Sequence, residues 1–308
     1  MKYLSFSPLA TNSKSDPSED VLGLSIYLIL NYIFALFTVI FQFNKCKGLI
    51  DMLDKNVYIF WQGPEPPLIT LLRRIMMMHS NDGNAFKVNL INLESLDKYI
   101  KHIPDYFHNL KVEHKADFIR VNILCEYGGL WLDSDTLVMD NLQSLFKICN
   151  QKDGFFILEN NKALCNGVFG TRANTELMKV WRDQIHSLLS NNTNIEWSDI
   201  GSSMLIKLKK ESPSLFKNYK IFKGLNNMYP VNWDNCVEEF INKPYNNYKN
   251  ILRPYQPLIV LVGAVYRKLS DYSEKEIINA NIPLSYFIRK SLNISSRYKK
   301  TRKNKSKK

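Results

Sequence analysis

The sequence predicts an α/β domain with a mixed, mostly parallel sheet, preceded by a single transmembrane helix. Three observations predict it. Helix-forming stretches at 116–127 and 176–189 alternate with short bulky apolar runs at 130–132 and 155–158, which are too short for helices and read as buried strands. Gly128-Gly129 stands between the first helix and its strand and supplies the positive-φ freedom that ends helices. Residues 21–43 carry no charge, with only Asn31 and Gln42 strongly polar.

In chain order, residues 1–20 are Ser- and Asp-rich and read as a flexible segment. Residues 21–43 would span about 34 Å as a helix, slightly more than a hydrocarbon core of about 30 Å. Acids at Asp16, Glu19 and Asp20 precede the span, and Lys45 and Lys47 follow it. The positive-inside rule therefore predicts a single-pass membrane protein with its domain on the cytoplasmic side. In a eukaryotic host the same order, short tail then anchor then domain, would place the domain in the Golgi lumen. Residues 44–54 are a linker and 55–288 the domain. Within it, 191–199 reads as a loop, 204–210 as a short helix and 226–235, with Tyr229-Pro230 and Trp233, as an aromatic loop that either packs Trp233 into the core or faces a ligand. The tail, 289–308, holds ten basic residues and no acid. It accounts for most of the formal charge of +12 and leaves 31 basic against 29 acidic residues elsewhere. It reads as a disordered basic arm suited to an anionic membrane surface, and no nucleic-acid-binding fold is expected. Five cysteines without a C-x-x-C pair argue against a zinc site or a disulfide framework.

The chemistry concentrates in residues 112–140. Asp133 and Asp135 follow the strand 130–132 at its carboxyl end, and period-2 spacing predicts that both point the same way, roughly 6 to 7 Å apart. Two hard carboxylates suit Mg²⁺ or Mn²⁺, which keep positions for phosphate and water. Open α/β sheets bind ligands at strand carboxyl ends. Asp117 and Arg120, three apart on the preceding helix, share a face and offer a carboxylate for sugar hydroxyls and a guanidinium for phosphate.

The run A-D-F-I-R at 116–120 and E-Y-G-G-L-W-L-D-S-D at 126–135 resembles the D-x-D glycosyltransferases of the capsular polysaccharide synthesis and glycosyltransferase 32 type. Upstream, 57–63 (VYIFWQG) followed by Pro66-Pro67 is similar to that family's first strand, 86–92 to its second, and 103–106 to its I-P-D-Y segment. Asn166-Gly167 sits where such enzymes carry an N-G stretch. The resemblance implies a GT-A fold and transfer of a hexose from a nucleotide-sugar, UDP favoured over GDP, to a glycan or lipid-linked acceptor. It implies a Mn²⁺ or Mg²⁺ ion held by Asp133 and Asp135, with retention of anomeric configuration. It also implies that Asp117 and Arg120 contact donor sugar and phosphate, that Phe60, Trp61 and Gln62 line the base and ribose pocket, and that Asn166 contacts donor or acceptor.

The chain departs from that pattern in one respect: many GT-A enzymes complete the metal site with a late His, whereas the last of the five here is His186. Residues 261–266 occupy the place where that His is expected. Residues 200–203 lie where related chains turn near the acceptor, and equally read as a helix start capped by serine. Two alternatives stand beside this reading. One is a non-catalytic, membrane-anchored relative with the same fold. The other is a haloacid-dehalogenase-type phosphatase, whose D-x-D-x-T/V loop 133–137 resembles, although Leu137 takes the Thr/Val position.

Overall fold

In the computed structural model, which describes residues 55–81, 86–159, 163–191 and 194–293, the sheet begins with β1 (Asn56–Phe60) and is followed by α1 (Pro67–Ser80) and β2 (Lys87–Ile91). Two short 3₁₀ turns lead into α2 (Val112–Tyr127), then β3 (Gly129–Leu132), β4 (Leu137–Val138), α3 (Gln143–Gln151), β5 (Gly154–Glu159), β6 (Ala163–Leu164) and β7 (Val168–Thr171). The rest comprises α4 (Glu176–Asn191), α5 (Ser202–Glu211), β8 (Tyr219–Lys223), α6 (Tyr248–Ile251), β9 (Leu258–Ile259), α7 (Gly263–Lys268), α8 (Glu274–Asn279) and α9 (Pro283–Ser291). Segments 1–20, 21–43 and 44–54, and the tail from 294, lie outside the described residues. Among the described residues no helix is long and apolar enough to cross a membrane.

Strand order in the main sheet is β2-β1-β3-β7-β5-β6, with β8 on the other side of β5. Pairs β1–β2, β1–β3 and β5–β8 are parallel, and β3–β7, β5–β7 and β5–β6 antiparallel. The sheet is mixed as expected: five of its seven strands run the same way, and β6 and β7 run in the opposite sense. One consequence positions the site. β1, β2, β3, β5 and β8 all run the same way, so the loops starting at Trp61, Asn92, Asp133 and Gly224 open on one edge.

Period-2 alternation splits the apolar residues between the two faces. Tyr58, Phe60, Trp131, Phe156 and Phe169 pack with Phe118 of α2 and Trp181 of α4. Val57, Ile59, Leu130, Leu132, Phe155 and Ile157 pack with Phe146 of α3. A third cluster joins α1 and the β4–β9 ribbon to α7, α8 and α9 through Leu72, Leu137, Ile259, Val265, Ile277 and Phe287. The tail boundary moves as a result. Helix α9 continues through Ser291, so Arg289 and Lys290 belong to the domain and not to a disordered arm. The buried Ser291 hydroxyl donates to the Val138 carbonyl at 2.8 Å and hydrogen-bonds His79 Nε2 at 2.8 Å, fixing the last turn against α1 and β4.

Helix α2 begins four residues before the expected Ala116 and stops at the glycines as expected. Gly128, at φ +64°, returns its N–H to the Leu124 carbonyl at 3.0 Å. Gly129, at φ +109°, lies so close to β1 that a Cβ would stand 2.6 Å from the Asn56 carbonyl oxygen. A side chain at Gly129 would therefore separate β3 from β1.

Candidate active site

Helix α2 carries Asp117 and Arg120 on the face turned toward the sheet edge, and both residues are 5% exposed. A buried guanidinium demands acceptors, and Arg120 finds three. It pairs ionically with Asp117 Oδ1 at 2.9 Å and donates to the Asn166 carbonyl at 2.9 Å and to Asp133 Oδ1 at 3.0 Å. Its face lies 5.3 Å from the Trp131 ring centroid. The Trp131 indole N–H donates to the same Asp133 Oδ1 at 2.8 Å, and the Asn166 amide donates to Asp117 Oδ1 at 2.7 Å. Asp117, Arg120, Asp133 and Asn166, separated by up to 49 residues, therefore form one hydrogen-bonded group.

Two glycines make room for it. A Cβ on Gly167 would stand 2.5 Å from Asp133 Oδ2. A Cβ on Gly201 would collide with the Asn166 amide and stand 2.9 Å from Asp117 Oδ2. Gly201 is the residue before α5, and no serine side chain caps that helix.

The D-x-D is not an extended pair. Strand β3 ends at Leu132, and residues 133–136 form a turn closed by the Thr136 N–H to the Asp133 carbonyl at 2.9 Å. Strand alternation therefore does not set the direction of the two carboxylates. The turn is held from below by Ser134, whose hydroxyl donates to the Phe60 carbonyl at 2.8 Å, and by the Asp133 N–H to the Gly167 carbonyl at 2.7 Å. Trp131 and Arg120 both occupy Asp133 Oδ1, leaving Oδ2 without a hydrogen bond among the described residues. Asp135 accepts no side-chain hydrogen bond among the described residues.

Burial drives the electrostatics. It pushes the Asp117 carboxyl up to about 7, against the opposing pull of Arg120, and the Asp133 charge adds to the rise. Burial and then the neighbouring Asp133 charge also raise Asp135, with Arg120 and Arg267 opposing. Like charges held together in a low-dielectric turn are relieved by a cation. Two hard carboxylates, one with an open oxygen, fit Mg²⁺ or Mn²⁺. Among the described residues no group of three His, Cys, Asp or Glu side chains could hold a metal ion. Remaining coordination positions would fall to phosphate oxygens and water.

Trp61 and Gln62 follow β1 and line a cavity of about 370 Å³ together with Glu65, Arg73, Asn92 and Glu94. The Trp61 indole N–H donates to the Gly63 carbonyl at 3.0 Å, and its ring meets Tyr266 edge to face at 5.7 Å. Phe60 is not a pocket wall. It is 6% exposed and packs in the core, because it shares a strand face with Tyr58, and only its carbonyl serves the site. A larger concavity of about 620 Å³ around Asp153, Glu176 and Lys217 lies at the amino end of β5, on the opposite edge. In the aromatic loop Tyr229 is buried, whereas Trp233 is 55% exposed and not packed into the core.

A mixed α/β sheet with a carboxylate–guanidinium group and a nucleotide-sized cavity on its carboxyl edge defines a ligand-binding domain of the open-sheet class. The chain belongs to the capsular polysaccharide synthesis protein family, whose model matches residues 18–254. Among curated proteins it is 23% identical over 172 residues to "O-glycosyltransferase braB" of Annulohypoxylon truncatum, a match covering 46% of this chain and 39% of that protein. Solved structures with some likeness include "PaToxG Glycosyltransferase" (16% identity, TM-score 0.38, covering 60% of this chain and 80% of that one). Another is a glycosyltransferase involved in glycosylation of the major capsid of PBCV-1 (13%, TM-score 0.39, 66% and 91%). A third is the galactosyltransferase LgtC in complex with donor and acceptor sugar analogs (12%, TM-score 0.36, 68% and 87%).

Proposed function

We propose that the chain is a metal-dependent glycosyltransferase of GT-A type that moves a hexose from a nucleotide-sugar, UDP before GDP, to a glycan or lipid-linked acceptor with retention. It is anchored by residues 21–43 with its domain on the cytoplasmic face. The observation that carries this reading is the Asp133 carboxylate, which stands at the carboxyl end of β3 with one oxygen fixed by Arg120 and Trp131 and the other open. Family membership and the cavity at Trp61, on the same edge, support it.

The residues divide the work. Trp61 and Gln62 receive the nucleoside, an aromatic face and a polar side chain being suited to a base. Asp117, held by Arg120 and Asn166 through Oδ1, is assigned with Asn166 to the wall that meets the donor sugar. A divalent metal bound at Asp133 and Asp135 supplies positive charge to the diphosphate. In the transfer the anomeric C–O bond to the diphosphate breaks with its electron pair going to phosphate. The acceptor oxygen bonds the anomeric carbon, and its proton passes to the released phosphate.

Hydrolysis of a panel of UDP- and GDP-sugars with Mn²⁺ tests this, with Asp135→Asn as control. Nucleotide release from one donor, lost in the variant, is the expected result. Failure of the chain to bind any nucleotide-sugar with Mn²⁺ would replace this reading by the non-catalytic one.

A further inference from the structure

Residues 195–203 form a closely bonded turn that holds one large aromatic ring in the open. Ile195 and Ile200 are buried in the cluster around Phe118 and Trp181 and pin the turn at both ends. Between them the Glu196 N–H donates to Asp199 Oδ2 at 2.8 Å and the Asp199 N–H to the Glu196 carbonyl at 3.1 Å. This closes a four-residue turn with Trp197 and Ser198 at its tip. The Gly201 and Ser203 N–H groups both reach the Ser198 carbonyl at 3.0 Å, and the Ser198 and Ser203 hydroxyls share a 2.6 Å hydrogen bond. Two helices brace the turn: His114 of α2 hydrogen-bonds the Glu196 carbonyl at 3.2 Å, and the Trp181 indole N–H of α4 donates to the Ile200 carbonyl at 2.9 Å. Trp197 is nevertheless 71% exposed. A turn fixed by so many bonds thus forgoes the apolar burial that its largest side chain would bring to the fold.

The turn is continuous with the wall of the site. His114 stands three residues before Asp117 on α2, and a Cβ on Gly201 would stand 2.9 Å from Asp117 Oδ2 and collide with the Asn166 amide. Sheet order sets the direction along the edge. From β2 and β1 through β3 to β7 it carries the cavity at Trp61, then the carboxylate turn, then Asn166 two residues before β7. At about 4.8 Å per strand, β7 lies roughly 10 Å from β1. The turn that bears Trp197 therefore joins the site on the side of the carboxylates away from the nucleoside cavity. A donor with its nucleoside at Trp61 and its diphosphate at Asp133 and Asp135 brings its sugar to Asn166, and the position beyond belongs to the molecule that attacks the anomeric carbon. The negative face of an indole suits the polarised C–H face of a pyranose. Glu196 and Asp199, on either side of Trp197 in the turn, favour a neutral ligand with hydroxyl donors over an anionic membrane surface.

We propose that Trp197 is the platform on which a pyranose ring of the acceptor stacks. This rests on the glycosyltransferase reading and gives its acceptor a chemistry, a neutral sugar bound by one ring face. The stack decides which hydroxyl is turned toward the anomeric carbon, so Trp197 sets acceptor specificity.

Saturation-transfer NMR on the full chain in a sugar-free detergent tests the proposal. UDP or GDP is present with Mn²⁺, and the ligands are the methyl glycosides of glucose, galactose, mannose and N-acetylglucosamine. One of them is expected to bind, with saturation concentrated on the C–H protons of one ring face. Trp197→Ala should weaken that binding about tenfold or more, the scale of losing one aromatic contact surface. Trp197→Phe should recover part of it, and nucleotide affinity should stay at the parental value. Parental glycoside affinity in Trp197→Ala overturns the proposal while the donor site stands. Equal loss of nucleotide and glycoside would place the ring in the donor wall or the fold and also overturn it, as would binding of none of the glycosides by a parent chain that binds nucleotide. If the parent binds neither nucleotide with Mn²⁺, the glycosyltransferase reading itself fails and the proposal falls with it.

Discussion

Replacing Arg120 by Met removes the hub of the site, and the cost should depend on pH in a way that the titration of Asp117 dictates. Asp117 titrates in the native protein at about 7 against an ordinary 3.8. Between those values the native state holds more protons than the unfolded chain, so this group's contribution to stability falls as pH rises and levels off above about 7. In Arg120→Met the pull of the guanidinium is gone and the Asp117 pKa rises further. The variant therefore continues to lose stability above pH 7 where the parent does not. Each pH unit is worth 1.36 kcal/mol, so the cost of the substitution should grow by about 2 kcal/mol between roughly pH 6 and pH 8.5. A pH-independent loss of about 1 to 3 kcal/mol should lie beneath it, from the bonds to the Asn166 carbonyl and Asp133. Urea denaturation of parent, Arg120→Met, Asp117→Asn and the double variant at both pH values measures this. In the Asp117→Asn background the pH-dependent part should shrink, the remainder coming from Asp135, whose rise Arg120 also opposes. An equal cost at both pH values, or an unchanged pH dependence in that background, would refute the electrostatic account of the pair.

Asp133→Asn or Asp135→Asn should each lower transfer at least about a hundredfold, the scale of losing one charge-stabilising group, and unchanged rates in both would remove the metal-site assignment. Gly167→Ala should push the Asp133 carboxylate aside and lower transfer on the order of a hundredfold, with its far-UV circular dichroism unchanged; parental kinetics would show that Oδ2 needs no such clearance. Ser291→Ala should cost about 1 to 3 kcal/mol in urea, because it removes the buried donor to the Val138 carbonyl and a partner of His79; a neutral result would detach α9 from β4.

What was legible in the sequence was local. Gly128-Gly129 ends α2 and Leu130-Trp131-Leu132 forms a buried strand for reasons carried by a few adjacent residues, and Asp117 and Arg120 share a face through helical spacing alone. The shape of the carboxylate turn was not legible, since it depends on Ser134 reaching the Phe60 carbonyl, 74 residues away in sequence. Phe60 was misplaced for a related reason: its side-chain direction follows strand phase, and the strand's last residue still faces the core. The antiparallel return of β7 leaves no mark in a short apolar run. Aromatic character alone did not decide between core and surface for Trp233, and Tyr229 is buried instead.

The hydroxyl of Ser291 on the Val138 carbonyl joins positions 153 residues apart, and Val138 lies three residues beyond Asp135. The segment that bears the metal-site candidates is therefore buttressed by the last turn of the described chain. Removal of Leu292 would strip a side chain from the third cluster, and removal of Ser291 would be felt at the far end of β4. Damage at that end should therefore register both in stability and in the shape of the turn that carries Asp133 and Asp135.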